Sequence, residues 1–167
     1  MKQHPSVPSV VPIDYVTFRL DVISNAAKAD ASPVYEAACG VSLRELRCLR
    51  IAAFEPGLSQ NRLASLAFIE KTLVSKAITG LVRRKLLKRK TDAGDARRIR
   101  LFATQAGLTI VETCERIGRS LEAELMAGIT KKQREAFDQC LEKMMSNIAN
   151  MVKERGTFPE LRFDSAR

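Results

Sequence analysis

Between residues 13 and 37, Tyr15, Phe18, Val22 and Ala26 form one apolar stripe, and Val16, Leu20, Ile23 and Ala27 form a second. Steps of three and four residues predict a helix. Apolar residues on two faces mean burial on two sides, so one side of this helix is expected to meet a partner subunit. Ser42 with Glu45 three residues on is a capping-box signature. It opens a helix whose apolar positions are Leu46, Leu49, Ile51 and Ala53, and Pro56-Gly57 closes it. Ser59 then caps a short helix through Leu63 and Leu66, a turn spans Ala67 to Glu70, and a further helix is expected from Lys71 to Lys85.

In this last helix Val74, Ile78, Leu81 and Lys85 share a face, with Val82 beside them. Thr72, Ser75, Lys76, Thr79 and Arg83 make a continuous polar stripe opposite. Solvent-facing stripes usually mix in acids, and this helix has none after Glu70. Hydroxyls and cations in such a row are the groups that meet base edges and phosphates in a major groove. Leu86 to Thr91 and Arg98 to Ala103 read as two short strands, with Ile99 and Leu101 alternating against Arg98 and Arg100. Asp92-Ala93-Gly94-Asp95 supplies their turn. The order helix, short helix, helix, basic hairpin predicts a winged helix-turn-helix, its second helix in the major groove. Arg97 at the hairpin tip can reach the neighbouring minor groove.

A long helix is expected over residues 104–127, opened by Thr104 or Gln105 and closed by Gly128, with Ile110, Cys114, Ile117, Leu121 and Leu125 as its stripe. Thr130 caps a last helix with Phe137, Leu141, Met144, Ile148 and Val152 on one side, widened by Met145 and Met151. Residues 1–12 read as a Pro-rich extended arm, and residues 156–167 as a tail carrying Phe158, Leu161 and Phe163. The expected class is mainly α with a small β wing: a DNA-binding lobe over 38–103, and dimerisation helices from both termini over 13–37 and 104–167.

Composition sharpens this picture. The 167 residues carry a net charge of +9, and residues 71–100 alone hold eleven positive against two negative charges. That one segment therefore carries the whole imbalance, while the rest of the chain is neutral. This is the footprint of a polyanion-binding element rather than of a generally basic protein. A solvated basic face is the bland alternative. A membrane-surface helix fits poorly, because turn residues break the segment. No apolar run reaches membrane-spanning length, and nothing resembles a signal peptide, so the cytoplasm is expected. The only histidine is His4, no nucleophile–base pair or metal-ligand spacing is present, and no glycine loop cradles phosphate. Neither an enzyme nor a metal or other cofactor is expected.

The stretch from Gly57 to Gly107 resembles the MarR family of bacterial regulators. Its wing motif stands as Asp95-Ala96-Arg97 followed by Leu101, Thr104 and Gly107. Leu58-Ser59-Gln60, Leu63-Ala64 and Lys71-Thr72-Leu73-Val74-Ser75-Lys76 match its helix-turn-helix, and Leu81 and Leu86-Leu87 match the approach to the wing. Two positions depart from the pattern: Phe68 stands where a glycine or other small residue is usual, and Ala103 replaces a leucine. The resemblance implies an obligate homodimer with intertwined terminal helices, binding a pseudo-palindrome with half-site centres about 10 bp apart. It implies a repressor released by a small molecule or an oxidant, with Asp95 orienting Arg97 by an ion pair and Arg97 entering the minor groove. On this reading Lys71, Lys76, Lys88, Arg89 and Lys90 contact phosphates, Thr72, Ser75, Lys76 and Thr79 read base edges, and Arg83 and Arg98 complete the surface.

Many members of the family respond to aromatic carboxylates, which need an arginine and apolar walls. Arg19, beside Phe18 and one turn from Tyr15, is the first candidate and Arg47 the second. A rival trigger is cysteine oxidation, with Cys48 between Arg47 and Arg50 and Cys39 before Gly40, whereas Cys114 and Cys140 fall on apolar stripes. A rival class altogether is a winged-helix module whose basic face meets an acidic protein.

Overall fold

The computed structural model describes residues 13–92, 94, 95 and 97–155. The N-terminal arm with His4, the tail from residue 156 and the Val152 side chain lie outside what is described. The elements run α1 (Val16–Cys39), α2 (Leu43–Phe54), α3 (Gln60–Ala67), α4 (Lys71–Arg83), β1 (Leu87–Thr91), β2 (Ile99–Ala103), α5 (Gln105–Leu125) and α6 (Lys131–Arg155). This is the winged helix-turn-helix with flanking helices that the sequence led us to expect.

Local chemistry sets most boundaries. α1 passes through Pro33 and ends at Gly40, whose positive φ lets its amide reach the Glu36 carbonyl at 2.9 Å. The capping box forms: Ser42 Oγ accepts from the Glu45 amide, and the Ser42 amide donates to Glu45 Oε2 at 3.0 Å. Ser59 Oγ accepts from the Arg62 amide and opens α3. Phe68 ends α3 with φ 53°, the left-handed conformation that explains why small residues are usual there. Lys85 takes φ 59°, so α4 stops at Arg83 and Lys85 does not extend its apolar face. Ala77 joins that face instead, beside Val74, Ile78 and Leu81.

The core gathers Leu46, Leu49, Leu63, Val74, Ile78, Leu81, Leu87 and Leu101 between α2, α3, α4 and the wing. On α2 it also takes Cys48 and Ala52, while Ile51 and Ala53 are only partly buried. β1 and β2 pair antiparallel from Leu87↔Ala103 to Thr91↔Ile99. The loop after α2 adds a bridge on the other edge of β2: the Leu101 carbonyl accepts from the Gly57 amide at 2.8 Å, and the Leu101 amide donates to the Leu58 carbonyl at 3.0 Å. Leu101 therefore holds the wing to the helix-turn-helix with both its side chain and its backbone. Ala103, in place of the usual leucine, still packs against the core.

At the base of the wing, the Thr104 hydroxyl donates to the Lys85 carbonyl at 2.7 Å and accepts from the Gly107 amide at 3.1 Å. The Thr104 amide donates to the Leu86 carbonyl at 3.0 Å. That same carbonyl oxygen lies 2.2 Å from where a Cβ on Gly107 would stand, so α5 can start this close to the wing only with glycine there. The Thr-x-x-Gly spacing is thus the joint between the winged lobe and the long helix.

The ends of the molecule are less covered. Tyr15, Val16, Val22 and Ile23 on α1, Leu125 on α5, and Phe137, Met145, Ile148 and Met151 on α6 are all exposed. Among the described residues, no helix is long and apolar enough to cross a membrane.

Candidate nucleic-acid interface

α4 presents the expected row. Thr72, Lys76, Thr79 and Arg83 are exposed and Ser75 is half-buried, while the opposite face enters the core. The helix itself has no carboxylate. Glu70 at its N-cap, however, accepts the Thr72 hydroxyl at 2.5 Å, so Thr72 meets any partner through a hydroxyl already engaged. Lys71 opens the helix at its exposed end.

The wing continues the surface. In β1 only Leu87 is buried, and Lys88, Arg89 and Lys90 all face solvent. Arg89 Nη2 donates to Thr79 Oγ1 at 3.4 Å, which ties β1 to the exposed face of α4. Lys90 Nζ stands 5.5 Å over the Phe102 ring, a cation–π contact that stiffens a long side chain.

At the tip the structure corrects one expectation. Asp95 Oδ1 accepts the backbone amide of Arg97 at 3.0 Å, but its ion pair is to Arg98, with Nε at 3.2 Å from Oδ2. Asp95 therefore orients Arg97 through the backbone, and its charge is matched by Arg98. The Arg97 side chain stays exposed. A second aspartate shapes the turn. Asp92 Oδ1 accepts from the Gly94 amide at 2.9 Å, and Oδ2 meets Arg100 Nε at 2.5 Å. The Arg100 hydrogen bond, then the Gly94 amide, holds the Asp92 carboxyl below the usual carboxylate range. Arg100 Nη1 also donates to the Gly57 carbonyl at 3.2 Å and fastens the wing to the loop before α3.

This fastening brings together residues that the sequence did not. Arg97, Arg98, Ile99 and Arg100 line a polar crevice of about 450 Å³ with Ser59, Gln60 and Asn61 at the start of α3. Ser59 was recognisable as a cap, but its place beside the wing follows from the Leu58–Leu101 rung, which no local spacing reveals.

The effector candidates do not converge. Tyr15 is the N-cap of α1 and 73% exposed, and Arg19 pairs with Asp14 at 3.4 Å on the same exposed end. Phe18 is half-buried nearby. Arg47 is committed elsewhere: its Nη1 donates to the Ala67 carbonyl at 3.2 Å in the helix-turn-helix turn. Arg50, passed over in favour of these two, bridges α2 to α5 through the Cys114 carbonyl at 3.1 Å and Glu115 at 3.5 Å, yet its Nε is buried without an acceptor among the described residues.

The cysteines also differ from expectation. Cys48 is fully buried, and desolvation, outweighing the attraction of Arg47, pushes its thiol up to about 11. Cationic neighbours in sequence therefore do not make it a thiolate. Cys114 is buried, and its thiol is pushed upward first by burial and then by a hydrogen bond with Cys39. Cys140, expected in the core, is exposed. No cluster of three or more metal-ligating side chains occurs among the described residues.

Residues 40–98, the helix-turn-helix with β1 and the turn of the wing, match the family model described as MarR family. The transcriptional regulator HosA of Escherichia coli O157:H7 is 30% identical over 98 residues, covering 59% of this chain and 73% of HosA. The transcriptional repressor Rv2887 of Mycobacterium tuberculosis is 26% identical over 137 residues, 81% of this chain and 95% of that protein. A structure of Rv2887 in complex with p-aminosalicylic acid superposes with a TM-score of 0.65 at 22% identity, covering 78% of this chain and 98% of that one. The Staphylococcus aureus MepR–DNA complex superposes with a TM-score of 0.69 at 25% identity, covering 80% and 96%. With the fold, the wing motif, the family model and a 30% identical regulator in agreement, this chain belongs to the MarR family of DNA-binding transcriptional regulators.

Proposed function

We propose that two copies of this chain clamp a pseudo-palindromic operator as a repressor in the cytoplasm and release it when a small effector binds. The observation that carries this reading is the surface formed by the acid-free exposed face of α4 and the cationic wing. Lys76, Thr79 and Ser75 face base edges, with Thr72 once its hydroxyl leaves Glu70. Lys71, Arg83, Lys88, Arg89, Lys90 and Arg98 neutralise phosphates, and Arg97 enters the minor groove, its backbone held by Asp95. The exposed apolar residues of α1 and α6 support the dimer, because a helix with apolar residues this open needs a second surface to cover them. The MepR–DNA complex supports the DNA reading by likeness of fold.

The effector we favour is an aromatic carboxylate, the class of the p-aminosalicylic acid bound to Rv2887. Its anchor moves from Arg19 and Arg47 to Arg50, whose buried Nε lacks an acceptor among the described residues. The test of the operator reading is DNA affinity against salt. Each neutralised phosphate contributes a slope of about −0.9 in log affinity against log salt. Lys88→Ala should make the slope shallower by about one contact. Arg97→Ala should weaken binding at every salt concentration. An affinity independent of salt refutes the proposal.

A further inference from the structure

Five carboxylates lie in the winged lobe from α2 to β2: Glu45, Glu55, Glu70, Asp92 and Asp95. Four are matched by arginines: Glu45 by Arg84 at 2.6 Å, Glu55 by Arg62 at 3.4 Å, Asp92 by Arg100 at 2.5 Å and Asp95 by Arg98 at 3.2 Å. Glu70 is different. Among the described residues it has no lysine or arginine partner, and its carboxylate is held by the Thr72 hydroxyl at 2.5 Å. It is exposed, and it stands immediately before the segment that concentrates the positive charge of the chain.

Helix capping does not account for this acid. Glu70 is the N-cap of α4, but its side chain makes no capping bond, and the side chains suited to that task are Ser, Thr, Asp and Asn. The bond to Thr72 instead holds the carboxylate at the head of the exposed polar row, beside the first side chain of that row. Phosphates on either side of a groove oppose an acid placed there. When Thr72 turns to DNA, the carboxylate loses its hydroxyl donor and is taken out of water. A charge desolvated in this way is strongly unfavourable unless a new donor reaches it. The major groove offers two kinds of base donor, the N4 amine of cytosine and the N6 amine of adenine. Adenine sets its N7 acceptor beside that amine, against the second carboxylate oxygen, whereas cytosine has no acceptor on its own major-groove edge.

We propose that Glu70 is a specificity-determining residue that reads a cytosine, through its N4 amine, at one position of each half-site. One donor replaces another: the cytosine N4–H takes the place of the Thr72 hydroxyl on the carboxylate, and the hydroxyl turns to the groove. Guanine and thymine present only acceptors in the major groove and are repelled by the charge. The acid therefore lowers affinity for DNA in general and restores it at the right base, which widens the gap between specific and non-specific binding. This inference rests on the operator reading.

The test is parallel selection from one random duplex pool by the wild type, Glu70→Gln and Glu70→Ala. Glu70 is exposed, so both variants should fold, and circular dichroism checks that they do. The wild type should enrich cytosine at one position of each half-site. Glu70→Gln should change that position to adenine, because an amide accepts from N6 while donating to N7. Glu70→Ala should leave it unselective, and every other position should stay the same in all three. On duplexes differing only at that base pair, the wild type should discriminate about tenfold and Glu70→Ala less than about twofold. Glu70→Ala should also bind a scrambled duplex several-fold more tightly, because a charge that repels phosphate is gone. An acid that serves only the α4 dipole gives another result: both variants weaken binding to every sequence alike, with no change of base. That result, or one motif shared unchanged by all three proteins, overturns this inference alone. A wild type that enriches no sequence overturns the operator reading and this inference with it.

Discussion

Gly107→Ala adds one methyl group at the joint between the wing and α5, and the structure sets the size of its effect. The new Cβ would stand 2.2 Å from the Leu86 carbonyl oxygen and 3.1 Å from Leu49 Cδ1. The carbonyl cannot simply move, because it accepts the Thr104 amide at 3.0 Å. Relieving the clash means losing or stretching that bond, which contributes about 1 kcal/mol net. Overpacking strain adds about 1–3 kcal/mol. Alanine recovers about 1 kcal/mol through its better helix propensity. The balance is a loss of about 2 kcal/mol. For a chain of this size that lowers Tm by roughly 4–8 °C. Thermal unfolding followed by circular dichroism, at one fixed protein concentration because the protein is proposed to dimerise, measures it. A Tm within about 2 °C of wild type would refute the claim that close backbone approach requires this glycine.

Three further outcomes follow from the same geometry. Among the described cysteines, Cys140 should react first with a thiol reagent in the folded protein and Cys39 more slowly, while Cys48 and Cys114 react only on unfolding; mass mapping of the modified sites checks this. Asp92 is held below the ordinary carboxylate value of about 3.9, so its contribution to the wing is fully present above that value and is lost as pH falls through the lower folded one. Hydrogen exchange at the Arg100 and Leu101 amides should therefore show wing opening that changes little with pH from ~7 to ~5 once intrinsic exchange is corrected, and Asp92→Asn should speed it several-fold throughout. Glu45→Ala removes the acceptor of the Ser42 amide and the partner of Arg84 at 2.6 Å, and should cost about 2 kcal/mol in denaturant unfolding.

What the sequence made legible was local. Ser42 and Glu45, Ser59, Thr104 and Gly107 act within three residues of one another or on their own helix ends, so spacing reveals them. The row on α4 was legible because a helix turns its polar stripe predictably away from its apolar one. Contacts across the fold were not. Asp95 lies two residues from Arg97 and three from Arg98, and only the turn geometry decides which guanidinium its carboxylate meets. Cys48 has two arginines nearby in sequence, but its burial on the inner face of α2 decides its chemistry. The crevice at Ser59 joins residues far apart in the chain, which nothing in the local pattern brings together.

The account stands most directly on which duplexes the protein selects from a random pool, and on how many chains bind each one. Selection followed by footprinting and sedimentation of the complex should yield a pseudo-palindrome with half-site centres about 10 bp apart, bound by two chains and lost with Arg97→Ala. Enrichment of no sequence, or a single unsymmetrical site occupied by one chain, would contradict it.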